Sequence, residues 1–196
     1  GEKTLANPVE FLAAAERLGR VHDVGRAVRA RVAADIGLAP DDTDIFVNLH
    51  AQYLDDDQIA IPLARCAEHV VLEITERASL DSISNLSARV LGLREAGYRI
   101  AIDDLGAGYS GLTSFALLEP DVVKIDMALV RGVDTHPLQK SVVESMIRLC
   151  GERGIRVVCE GVETPAERDT LLAIGADLFQ GYLFAKPGQG FPQPRW

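Results

Sequence analysis

Six short apolar runs separated by helical stretches constrain this 196-residue chain more than any other feature. They begin near residues 45, 70, 99, 122, 156 and 178, and read IFVNL, VVLEITE, RIAIDDL, VVKID, RVVCE and LFQGYLF. Near-continuous apolar strands alternating with helices predict a parallel sheet with helices packed outside it. Asn7-Pro8-Val9-Glu10 reads as a helix start, with Asn as N-cap, Pro first and Glu three residues on. Apolar spacing from Phe11 to Ile36 continues that helical region, with a break near Gly19 and a stop at Gly37. Further helices are expected over residues 58–68, from Ile83 to Gly97, over 137–153, and from a second capping box at Thr164 to Gly175. The last strand is expected to run from Leu178 to Phe184, and residues 187–196 to form a loose tail.

Such alternation suits either a doubly wound sheet or a (β/α)8 barrel. No GxGxxG follows the first strand, which disfavours the dinucleotide-binding variant. Polar residues at the ends of nearly all strands, rather than at one crevice, favour the barrel. A barrel of this type has eight strands in typically ~250 residues. The expectation is therefore an α/β fold of the (β/α)8 TIM type, one domain over residues 1–196, with two strands absent from this chain.

A formal net charge of −9 argues against a surface for DNA or RNA, which would carry a basic stripe. An anionic substrate would need metal ions or a few placed cations to hold it. Three cysteines without CxxC spacing point to reduced thiols and a cytoplasmic location. The four histidines form no HExxH pattern, so zinc is not expected. No apolar run approaches the ~20 residues of a membrane span, and no membrane contact by this domain is expected.

Collected by strand, the candidate functional residues are Asn48, Glu73, Asp103 with Asp104, Lys124 with Asp126, Glu160 with Glu163, and Gln180. Each has a structural alternative. Asn48 could bond a neighbouring strand, Glu73 could pair with a buried arginine, Lys124 could neutralise an adjacent aspartate, and Gln180 could satisfy backbone at the rim. All six strands nevertheless bring such groups to one end, and burying them is costly unless they are paired or metal-bound. Oxygen donors without His or Cys suggest the hard cations Mg²⁺ or Mn²⁺. Two such ions form a template for in-line attack of water on a phosphodiester. A lysine could orient that water and a further carboxylate accept its proton.

The segments FVNLHAQYL, LEITE, IDDLGAGYSGL, VVKID, CEGVET and QGYLF resemble, in order, the signature motifs of EAL domains, the cyclic-di-GMP phosphodiesterases. The resemblance implies a modified (β/α)8 barrel that hydrolyses cyclic di-GMP to linear pGpG with two Mg²⁺ or Mn²⁺ ions per site. It implies Asn48, Glu73 and Asp103 as metal ligands, Asp104 at the second metal, and Asp126 in support of the metal site. It implies Lys124 as the water-positioning lysine and Glu160 as general base or a further metal-site carboxylate. Glu163 and Gln180 take supporting and substrate-side places, and Glu76 anchors the loop from Leu105 to Gly111. It also implies a homodimer, with a sensory or regulatory domain upstream in a parent protein. The Glu-Ala-Leu motif itself, and the strand before it, are absent; its glutamate is a metal ligand in the family, so impaired turnover is expected. The rival expectation is a non-catalytic module that binds cyclic di-GMP or a protein partner and signals through dimerisation. Smaller departures are DDLGAGYSGL for the usual DDFGTGYSSL, and His50 where serine is usual.

Overall fold

The computed structural model describes residues 8–50, 54, 61–75, 80, 83, 85–107, 111–188 and 190–195. Six strands form one parallel sheet in chain order: β1 (Ile45–Asn48), β2 (Val70–Thr75), β3 (Arg99–Leu105), β4 (Val122–Ile125), β5 (Arg156–Cys159) and β6 (Leu178–Phe179). Each starts where the apolar runs predict. The helices are α1 (Pro8–Arg17), α2 (Val21–Asp35), α3 (Leu86–Glu95), α4 (Gly111–Leu118), α5 (Met127–Val130), α6 (Pro137–Glu152) and α7 (Pro165–Ala173). This is the half-barrel of parallel strands and outer helices expected of the α/β barrel type.

Alternation along the strands divides the side chains between two faces. Val70, Leu72, Ile74, Ile100, Ile102, Val123, Ile125 and Cys159 join the main core with Val90, Leu93, Val143 and Leu171 from the helices. The opposite, concave face is stacked in tiers. Its middle tier is a small apolar cluster of Val71, Ala101, Val122 and Val158, with Leu178 packed against it. Two residues earlier along the strands lie Arg99 and Arg156, both bound to Asp44. Arg99 donates from Nη1 to Asp44 Oδ2 at 2.8 Å and from Nη2 to Oδ1 at 2.5 Å; Arg156 Nη1 donates to Oδ2 at 3.0 Å. Two residues later along the strands lie Glu73, Asp103, Lys124 and Glu160. The same period thus yields a charged floor, an apolar middle and a polar rim.

The start of α7 follows its sequence signal; Asn7, the expected cap of α1, lies outside the described residues, and the helix expected from Ile83 begins at Leu86. Thr164 and Glu167 form a reciprocal capping box at α7. Buried Glu167 does more, accepting the Gly132 backbone N–H on Oε1 and those of Glu163 and Thr164 on Oε2, each at 3.0 Å. It thereby ties the loop after β4 to the loop after β5. The three cysteines are free thiols, and burial pushes Cys150 up to about 11 and Cys159 up to about 12.

Two expectations about elements require correction. The last strand ends at Phe179 instead of Phe184, because residues 180–184 wrap around Val162. Val162 N–H donates to Gln180 O at 3.1 Å, and Leu183 N–H donates to Val162 O at 3.1 Å. A Cβ at Gly181 would stand 2.0 Å from Val162 O, so only glycine permits that approach. The stretch before β2 is a 3-10 helix over Ile61–His69, broken at Cys66 (φ −134°), and residues 58–60 lie outside the described residues. From residue 187 to 195 the described tail carries no helix or strand, but Arg195 N–H donates to Phe184 O at 3.0 Å. Among the described residues no helix is long and apolar enough to cross a membrane.

Candidate active site at the strand carboxyl ends

The carboxyl ends of β2, β3, β4 and β5 converge on the ammonium of Lys124. Its Nζ lies 2.5 Å from Glu73 Oε1, 2.6 Å from Glu160 Oε1 and 2.9 Å from Asp103 Oδ1. The Asp103 contact is a hydrogen bond donated by the lysine. Glu73 Oε1 is fully buried, and its short contact is an ion pair whose angles fall short of a hydrogen bond. Lys124 and Glu73 are only 5% and 4% exposed, so these charges interact with little screening by water. The partner of Glu73 is thus a lysine, and Lys124 neutralises three carboxylates instead of one neighbouring aspartate.

Burial raises the pKa of Glu73 and of Glu160, and the Lys124 charge opposes the rise in both. Burial alone would depress Lys124, but Glu73 and Glu160 hold its pKa above the ordinary lysine value. The ammonium is therefore a fixed positive charge in the site.

Asp103 and Asp104 both reach this rim through an irregularity in β3. Ile102 pairs with Val123 and Leu105 with Ile125, so three steps on β3 face two on β4. Asp104 takes up the extra residue in the left-handed region (φ 58°). A bulge of this kind re-aims side chains that a regular strand would send to opposite faces. Oxygens of Asp103, Asp104 and Glu160 consequently lie within 4.8 Å of one another. Three carboxylates at that spacing, beside the buried oxygen of Glu73, fit a hard divalent cation.

The remaining expected residues flank this centre. Asn48 ends edge strand β1, exposed, and pairs in register with Glu73. Asp126 is buried and caps α5, accepting the Ala128 N–H at 2.8 Å. Glu163 is ion-paired with Arg131. Gln180 is exposed and lines a cleft of about 530 Å³ together with Asp104, Asp126 and Glu160. Glu76 and residues 108–110 of the loop after β3 lie outside the described residues.

The cleft also contains groups that the strand pattern did not single out. Arg131, Tyr182 and Lys186 line it, with the Lys186 ammonium 5.5 Å from the Tyr182 ring centroid. Tyr182 and Lys186 sit just past Gln180 in QGYLFAK, where a rim position was the available signal. Arg131 follows the short helix after Asp126 and carried no signal of its own. Cations and an aromatic face at the mouth of an acidic site suit a ligand that combines phosphate with flat bases.

Residues 1–187 match the EAL domain family. PdeR of Escherichia coli (strain K12), named a cyclic di-GMP phosphodiesterase, is 27% identical over 205 residues, covering 100% of this chain and 31% of PdeR. BluF of the same organism, named a blue light- and temperature-regulated antirepressor, is 32% identical over 66% of this chain and 32% of BluF. Klebsiella pneumoniae BlrP1, solved as a manganese and cyclic di-GMP complex, is similar in structure with a TM-score of 0.83 and 33% identity, over 94% of this chain and 49% of that one. The chain spans less than half the length of each of these three proteins. With its motifs in family order on six parallel strands, and a match over nearly its whole length, the chain belongs to the EAL domain family.

Proposed function

We propose that this chain is a metal-dependent phosphodiesterase domain that hydrolyses cyclic di-GMP to linear pGpG. The observation that carries the reading is the convergence of Asp103, Asp104 and Glu160 within 4.8 Å at the mouth of a cleft, beside buried Lys124. PdeR, named for this activity, and BlrP1, solved with manganese and cyclic di-GMP, support it.

Asp103, Asp104 and Glu160 would hold Mg²⁺ or Mn²⁺, with Asn48, Glu73 and Asp126 completing a site for two ions. When bound, such ions supply charge neutralisation at the phosphate and a more acidic water. Lys124 offers a permanently charged donor that orients a water or steadies charge developing on phosphate oxygens. Where Glu160 does not itself hold an ion, it is placed beside Lys124 to accept a proton from that water instead. Gln180, Arg131 and Lys186 line the cleft where the dinucleotide would lie, and Glu163 holds Arg131 in place. A cytoplasmic location suits the free thiols.

The antirepressor name of BluF favours one second reading, a domain that signals by binding without turnover. Incubation of this chain with cyclic di-GMP and Mn²⁺, followed by chromatography and calorimetry, separates the two. The proposal expects pGpG to accumulate and to be abolished by EDTA. Binding without pGpG would favour the signalling module.

A further inference from the structure

The ammonium of Lys124 stands where a divalent cation would draw its ligands. Of its three carboxylate partners, Asp103 and Glu160 also belong with Asp104 to the group whose oxygens lie within 4.8 Å. The third, Glu73, is 4% exposed, and its buried Oε1 lies 2.5 Å from the same ammonium. One ammonium therefore serves three carboxylates, and a divalent ion held by Asp103, Asp104 and Glu160 would compete with it for two of them.

We propose that Lys124 is the resident counter-ion of the ion-free site, and that a cation of the Mg²⁺ or Mn²⁺ class enters by displacing its ammonium from Asp103 and Glu160. The proposal rests on the functional reading above, in which this site takes such an ion. Carboxylates crowded in a poorly hydrated site repel one another, so without any cation the rim would open or take up protons. Lys124 prevents this in the ion-free protein. Its contacts must be surrendered when the ion binds, and the same lysine therefore weakens ion affinity while it protects the fold. Replacement of one cation by another keeps the cluster neutralised throughout.

The test uses Mn²⁺ alone, without substrate, on wild type, K124M and K124R. Isothermal titration reads affinity, and thermal melting in EDTA and in excess Mn²⁺ reads the protection. In EDTA, K124M is expected to melt below wild type. Its Mn²⁺-induced rise in Tm should exceed that of wild type, and its Mn²⁺ affinity should be about tenfold tighter, the scale of one charge-assisted contact no longer surrendered. K124R keeps the charge and should bind Mn²⁺ no tighter than wild type. If K124M does not fold without the ion, K124Q takes its place with the same expectations. Equal or weaker Mn²⁺ affinity in the uncharged variant, with no larger rise in Tm, overturns the proposal. Absence of Mn²⁺ binding to wild type overturns it together with the functional reading. Tight Mn²⁺ binding in K124M, with no hydrolysis of cyclic di-GMP by wild type, overturns the functional reading alone.

Discussion

Asp103 and Asp104, adjacent in the chain, face the same rim because Asp104 sits in the left-handed region at a bulge in β3. In a regular strand one of the two would point into the helical layer, against the main core. The bulge brings carboxylate oxygens of this unfavourable pair within 4.8 Å of each other and of Glu160, the group proposed to hold the metal. Backbone strain and chemistry thus meet at one residue.

This relationship separates the roles of side chain and backbone at position 104. D104N keeps a residue that tolerates positive φ and removes one charge. It should melt near wild type and lose about 10–100-fold in Mn²⁺-dependent turnover, the scale expected when a group supporting a metal site is altered. D104A keeps the Cβ but loses the short polar side chain that eases aspartate into the left-handed region, so it should be less stable than D104N by part of the roughly 1–2 kcal/mol that this region costs an L-residue. D104G should relieve that strain without restoring turnover. Melting temperature and pGpG formation, measured on all three, check this pattern.

The fold was legible in the sequence wherever a single period governed the residues. The starts of β1 to β6 followed from apolar runs, and the capping box at Thr164 from local chemistry. The candidate site was legible as a set of strand-end polar residues. Its geometry was not, because the bulge at Asp104 depends on pairing between β3 and β4, which are separated in the chain. The end of β6 was misread for a similar reason. LFQGYLF has strand composition, but Gly181 is pressed against Val162 from another element.

That close approach gives a second prediction. G181A would place a Cβ within 2.4 Å of Val162 N as well as against its carbonyl oxygen. Both are backbone atoms, so the loops carrying Gln180 and Glu160 must separate. The variant should lose about 1–3 kcal/mol in a denaturant titration, the usual cost of overpacking. Its turnover should fall as well.

The floor of the sheet gives a pH-dependent prediction. The Arg99 hydrogen bonds, with help from Arg156, hold the Asp44 carboxyl below its ordinary value. A carboxylate with a depressed folded pKa contributes stability above its unfolded value and loses it as pH falls through the folded one. D44N should therefore be less stable than wild type by about 1–2 kcal/mol at neutral pH, a figure discounted for the partial exposure of both arginines. The gap should be constant above about pH 5 and close below about pH 4. Urea titrations at several pH values read it directly, and high salt should narrow it.

Buried thiols supply a check on the core. Cys150 and Cys159 are buried, with pKa values pushed up to about 11 and about 12, whereas Cys66 is half-buried. An aromatic disulfide reagent at pH 8 should modify Cys66 first in the native protein. The other two should react only at the rate of unfolding, which mass spectrometry of timed samples would show.

The most direct test of the central claim is hydrolysis of cyclic di-GMP by wild type and E160Q, each with saturating Mn²⁺ and each with EDTA. The account predicts pGpG from wild type only when Mn²⁺ is present, and a loss of at least ~100-fold in E160Q, within the range for removing a proton acceptor or metal-site carboxylate. Hydrolysis that persists in EDTA, or that is unchanged in E160Q, would contradict the assignment of chemistry to this rim.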